Sequence, residues 1–211
     1  MMRVLVINPN SSVAVTDGIA DALAPLGAQF DVVRQEDGPE TIRTDEHVAE
    51  AAEPLAARIA GAQADGYIIA CFSDPGLDLA RTRVSQPVVG AQEAAVLEAC
   101  ALANRFGIIA LSERAIPRHL KRIEALGCMD RLVAELPLLD VSAEASGRDP
   151  EVYRHLRAIG ETLRDRGAGA VVLGCAGMAQ IAAQLQNDLG IPVIDPVAAA
   201  GRRILARLNS A

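Results

Sequence analysis

Short apolar runs alternate with longer amphipathic stretches along the whole chain. Runs at residues 2–8, 29–34, 66–71, 87–90, 105–111, 132–136, 169–174 and 192–194 have the length of strands. Between them, stretches at about 14–26, 45–63, 92–103, 114–126, 150–166, 177–188 and 196–208 have the length and polarity pattern of helices. Strand, helix, strand repeated in this way predicts βαβ units and a parallel sheet. The punctuation agrees, because Gly27, Gly61, Gly127, Gly167 and Gly190 fall near the expected helix ends.

The pattern also repeats at long range. Val6-Ile7-Asn8 corresponds to Ile108-Ile109-Ala110 at an offset of 102, Cys71 to Cys175 at 104, and Pro87-Val88-Val89-Gly90 to Pro192-Val193-Ile194-Asp195 at 105. The apolar helices that follow, Glu93–Ala103 and Ala198–Leu208, correspond as well. The expectation is an α/β chain of two pseudo-symmetric, flavodoxin-like lobes, each a parallel sheet flanked by helices. One lobe takes residues 1–95 plus the C-terminal helix at 196–211, and the other takes 96–195. Ligands of open parallel sheets bind outside the carboxyl ends of the strands, so the cleft between lobes is the expected site.

Composition narrows the function. The 211 residues are long enough for a substantial core, which must be aliphatic because aromatics make up 2% and Trp is absent. That suits helices packed on a parallel sheet. A net charge of −7 with scattered Lys and Arg argues against nucleic acid or an anionic membrane as partner. No apolar run approaches a membrane span, and the opening residues read as the first strand rather than a leader, so a cytoplasmic protein is expected. Four cysteines without a Cys-x-x-Cys pair read as free thiols. No metal motif is present, and His47, His119 and His155 stand isolated, which reads as solvated helix or loop positions. No Gly-x-Gly-x-x-Gly or Gly-Lys-Ser/Thr loop supports a nucleotide cofactor.

The candidate chemistry lies at two strand ends. Cys71 closes the run Gly66–Ala70, and Cys175 closes Ala170–Gly174, in matching halves. Two thiols facing one substrate suit proton removal on one side of a carbon and proton delivery on the other. A helix start is expected after each, with Asp74-Pro75 as cap and first turn and Gly177 opening the second. A helix N-terminus would stabilise the thiolate and bring its pKa into working range. Cys100, in an apolar helix, and Cys128, after Gly127, read as small core residues. Asn8-Pro9-Asn10-Ser11-Ser12 can cap a helix and offer donors to a carbonyl. Ser112 is the corresponding polar group in the second lobe, and Ser73 can contact substrate or cap. Thr44 or Asp45 caps the helix starting near residue 46, and Arg43 sits at the expected cleft rim.

These pieces together resemble the hydantoin (allantoin) racemases of the aspartate/glutamate racemase superfamily. The matching segments are Ile7-Asn8-Pro9-Asn10-Ser11, Gly38-Pro39-x-x-Ile42, Cys71-Phe72-x-Asp74-Pro75-Gly76-Leu77, Val172-Leu173-Gly174-Cys175-Ala176-Gly177-Met178 and Pro192–Val197. The resemblance implies cofactor-independent racemisation of a 5-monosubstituted hydantoin by two bases, with Cys71 and Cys175 as the catalytic pair. It further implies substrate contacts at Asn8, Asn10, Thr44, Ser112, Gly174, Ala176 and Gly177, a small-molecule substrate, no metal, and a homo-oligomer with helix 92–103 as a candidate contact. The chain departs from the family at Arg43, where an acid is usual, and at Ser73, commonly a smaller residue. Related activities in the superfamily are amino-acid racemisation, maleate isomerisation and arylmalonate-type decarboxylation. The decarboxylases use one of the two cysteines, and this chain keeps both.

Overall fold

The computed structural model describes residues 2–138 and 141–210. The first half runs β1 (Arg3–Asn8), α1 (Val13–Leu23), β2 (Gln29–Arg34), α2 (Asp45–Gly61), β3 (Gly66–Ile69), α3 (Leu77–Arg83), β4 (Val88–Gly90) and α4 (Ala91–Leu102). The second runs β5 (Phe106–Ala110), α5 (Ile116–Ala125), β6 (Leu132–Pro137), α6 (Ala145–Arg148), α7 (Pro150–Asp165), β7 (Ala170–Gly174), α8 (Ala182–Leu189), β8 (Val193–Ile194) and α9 (Pro196–Asn209). The long helices and all the strands fall where the hydrophobic pattern places them. The short helix α6 is an addition, too brief for its periodicity to stand out, and the helix expected after Cys71 is α3, which starts at Leu77 rather than at Pro75.

Each half forms its own four-stranded parallel sheet, ordered β2-β1-β3-β4 and β6-β5-β7-β8. The second order is the first with every strand advanced by four, which is the structural form of the sequence repeat. Central strands β3 and β7 are buried along their whole length, which is why they read as continuous apolar runs rather than alternating ones. Their carboxyl ends carry Cys71 and Cys175.

Two helices cross between the halves. α4 leaves the first sheet and packs against β7 and β8 of the second, while α9 leaves the second sheet and packs against β3 and β4 of the first. α4 and α9 also lie against each other. Residues Ala91–Val96 and Ala99 of α4 are therefore buried inside the chain. Much of the apolar surface of the helix read as an oligomer contact, 92–103, is thus used within one molecule, and Leu102 at its end stays exposed. Among the described residues, no helix is long and apolar enough to cross a membrane.

Candidate active site

Cys71 and Cys175 line one cleft, together with Asn10, Thr41, Ile42, Phe72, Ser73, Ser112, Arg118, His119, Ala143, Gly174, Ala176 and Gly177. Its empty space is about 470 Å³, part of it open to solvent. Both thiols are partly buried. A larger groove of about 1100 Å³ lies beside the loop after β2, lined by Arg34, Asp37, Glu50 and Arg58 among others, with no thiol or hydroxyl in its walls among the described residues. Among the described residues, no group of three or more His, Cys, Asp or Glu could hold a metal ion.

The two cysteines are held differently. No helix begins directly after Cys71. The chain turns through Asp74, whose φ of 45° is unusual for a residue with a side chain, and α3 starts only at Leu77, behind Gly76 at φ 68°. Cys175 itself is the cap of a 3₁₀ turn at Ala176–Ile181, and the Gly177 N–H donates to its sulfur over 3.4 Å. The expected acidification by helix ends does not dominate. Burial pushes the Cys71 thiol up to about 12, against the opposing pull of the Ser73 N–H and the Arg118 charge. Burial also raises Cys175, opposed by the Gly177 N–H and the Ser146 hydroxyl. Desolvation of the thiolate outweighs the donors at both sulfurs.

The residues around the thiols divide in two. Asn10, Ser73, Ser112, Gly174, Ala176 and Gly177 line the cleft. Asn8 lies behind it, fully buried, and its amide donates to Asn10 Oδ1 at 2.8 Å and Thr16 Oγ1 at 3.0 Å. It thus fixes Asn10 rather than facing the cleft. Thr44 caps α2, accepting from the His47 N–H at 3.3 Å, and it is Thr41 that reaches the cleft wall. There Thr41 Oγ1 accepts from the Ala143 N–H at 3.3 Å, tying the two halves across the site. Ser112 also receives the Arg114 N–H at 3.3 Å.

Besides Thr41, the polar cleft residues Arg118 and His119 escaped the sequence reading. Arg118, not Arg43, brings a guanidinium to the cleft lining, and the Arg43 carbonyl accepts from Arg118 Nη2 at 3.2 Å. His119, read as solvated, is 2% exposed and bonded to the buried Glu135 at 2.6 Å. A signal for them existed: both sit in the first turn of the helix after β5, at the same sheet edge as Ser112. Glu135, a single acid inside the apolar run 132–136, marked the partner.

Residues 4–204 match the family described as Asp/Glu/Hydantoin racemase. The chain belongs to that family. It is 38% identical over 210 residues to a hydantoin racemase of Paenarthrobacter aurescens, covering 95% of this chain and 89% of that one. It is 34% identical over 208 residues to a hydantoin racemase of a Pseudomonas species, covering 94% and 82%. The solved allantoin racemase of Klebsiella pneumoniae superposes with a TM-score of 0.92 at 32% identity, covering 100% of this chain and 89% of that one. The protein is thus an isomerase with the two-lobed racemase fold, and the cleft holding Cys71 and Cys175 is the candidate active site of this racemase.

Proposed function

We propose that this racemase inverts C5 of 5-monosubstituted hydantoins, allantoin among them, by proton transfer between Cys71 and Cys175 without a cofactor. The observation that carries the reading is the placement of the two sulfurs. They end equivalent strands of two equivalent sheets and share one cleft, and among the described residues no carboxylate lines it. The names of the relatives and of the solved structure point to the same substrates.

The C5–H of a hydantoin lies beside a ring carbonyl, so its removal leaves an enolate delocalised over the ring. One cysteine, as thiolate, takes that proton. The electron pair moves onto the carbonyl oxygen, and the thiol on the opposite face returns a proton to C5. The sulfurs exchange states in each turnover, and no atom is gained or lost. Cys71 ionises against its burial with help from the Ser73 N–H and Arg118. Donors aimed at the developing charge are the main source of rate in such a site. We place Asn10, Ser112 and the backbone around Cys175 in that role.

The test follows an enantiopure 5-substituted hydantoin in deuterated water by optical rotation and by C5 deuterium content. Wild type should lose rotation and gain deuterium faster than the uncatalysed reaction, and Cys71→Ser and Cys175→Ser should lose racemisation. Turnover that survives removal of either thiol would overturn the two-base scheme. No exchange with any hydantoin, set against exchange of free aspartate or glutamate, would move the substrate to another branch of the superfamily.

A further inference from the structure

Behind Cys71 runs a chain of side chains that the two-thiol scheme does not use. Glu135, on the edge strand β6, has a side chain 1% exposed. Its Oε1 stands 2.6 Å from His119 Nδ1, and its Oε2 has no hydrogen-bond partner among the described residues. A buried carboxylate is costly unless paired, so His119 is what makes Glu135 tolerable. With Glu135 ionised and the ring neutral, the hydrogen sits on Nδ1 and Nε2 is an acceptor. Nε2 lies 3.3 Å from Ser73 Oγ. Ser73 Oγ already accepts from Arg118 Nε at 2.9 Å, so the hydroxyl hydrogen is free to point at His119. The chain of bonds therefore reads Arg118 to Ser73 to His119 to Glu135. His119 is also fixed from behind, with its ring edge-on to Phe72 and its carbonyl accepting from Gln92 Nε2 at 2.9 Å.

Arg118 is held on every side. Nη1 donates to Asp45 Oδ1 at 3.2 Å and to the Arg114 carbonyl at 3.3 Å, and Nη2 donates to the Arg43 carbonyl at 3.2 Å. With Nε on Ser73, four of the five guanidinium N–H groups are taken among the described residues, and one on Nη2 remains. The side chain is 13% exposed, and it is the permanent cation in the lining of the cleft.

We propose that Arg118 is a further catalytic residue of the racemisation, giving its remaining N–H to the ring oxygen that becomes the enolate, and that Ser73, His119 and Glu135 are positioning residues that aim it. The proposal rests on the hydantoin reading above. One free N–H matches one oxygen, whereas a free carboxylate would ask for the two-pronged fork that the other four bonds have used up. The same cation lies close enough to Cys71 to favour its thiolate.

Two readouts test this on the intact enzyme. The first uses no substrate: iodoacetamide alkylation of Cys71 and Cys175 at pH 9, followed peptide by peptide by mass spectrometry. Arg118→Gln should slow Cys71 several-fold and leave Cys175 unchanged. The second is turnover of enantiopure 5-methylhydantoin. There Arg118→Gln should lower kcat about 100-fold with little change in KM, the size of a lost donor to a developing oxyanion. His119→Phe keeps the edge packing on Phe72 but breaks the chain, and should cost about ten-fold in kcat through misaiming. His119→Gln, whose amide oxygen can accept the Ser73 hydrogen, should recover most of that loss. Should His119→Phe not fold, Ser73→Ala makes the same break. The proposal fails if Arg118→Gln matches wild type in turnover, or if Arg118→Gln slows both cysteines equally. If wild type turns over no hydantoin, the substrate reading fails by itself, and the alkylation pattern still decides whether Arg118 serves Cys71.

Discussion

The carboxylate of Asp74 caps a helix that begins seventeen residues after it: Oδ1 accepts the N–H of Gln92 and Oδ2 that of Glu93, each at 2.9 Å. The cap residue of α4 is Gly90, which has no side chain to offer, and a Cβ there would sit 2.3 Å from Asp74 Cγ. The Cys71 loop is thereby stapled to the start of the helix that crosses to the other sheet. The sequence reading gave Asp74 to the helix directly after it. The left-handed turn at Asp74 sends the carboxylate elsewhere.

That staple makes stability depend on pH. Burial pushes the Asp74 carboxyl up from 3.8 to about 7, despite the two N–H donors. Between those values the folded chain holds a proton that the unfolded chain has released. The contribution is full below about pH 4 and is lost as pH rises through 7. Thermal melts between pH 4 and 8 should show Asp74→Asn losing part of the wild-type slope. Identical slopes would mean that Asp74 does not titrate there.

The thiols should resist alkylation near neutrality. With Cys71 pushed up to about 12, its reaction with iodoacetamide should climb about ten-fold per pH unit, without a plateau, up to pH 10. A plateau near pH 8 would show that the helix-end donors outweigh burial after all.

Thr41 and Thr44 should separate by readout. Thr44→Ala removes the α2 cap and should cost about 1 kcal/mol of stability, leaving kcat/KM nearly unchanged. Thr41→Val keeps the shape but removes the acceptor for the Ala143 N–H across the cleft. It should lower kcat/KM with a smaller effect on the melting temperature. The reverse pattern would restore Thr44 as the substrate contact.

Backbone meets backbone beside Cys175. A Cβ on Gly147 would lie 1.9 Å from the Gly177 carbonyl oxygen, and one on Gly177 would lie 2.0 Å from the Ala143 carbonyl oxygen. Gly147→Ala should destabilise by roughly 1–3 kcal/mol, as overpacking does, and should depress turnover by displacing the Gly177 N–H from Cys175. Denaturant unfolding alongside the rate assay would check both. A variant as stable and active as wild type would show that this strand end gives way easily.

What the sequence showed and what it hid differ in kind. Strand runs such as 66–71 and 169–174 were legible because burial on both faces writes itself as uninterrupted apolar residues. Cys71 and Cys175 were legible because the repeat put them at equivalent ends. Arg118, His119 and Glu135 were not, since their meaning lies in a contact between a helix turn and a strand sixteen residues further on. Thr41 lost to Thr44 for a similar reason. The capping pattern Thr44-Asp45-Glu46 is local and readable, while the reach of Thr41 to Ala143 spans 102 residues.

The crossing of α4 and α9 has a consequence for how such a chain can be divided. Each sheet has part of one face covered by a helix that the other half supplies, so a cut between the halves leaves exposed apolar strands on both pieces. Half of this molecule, made alone, would regain its cover by lending its last helix to a second copy and borrowing one in return. The single chain is, in its geometry, a pair of helix-swapped twins joined end to end, and the candidate site lies at the seam between them.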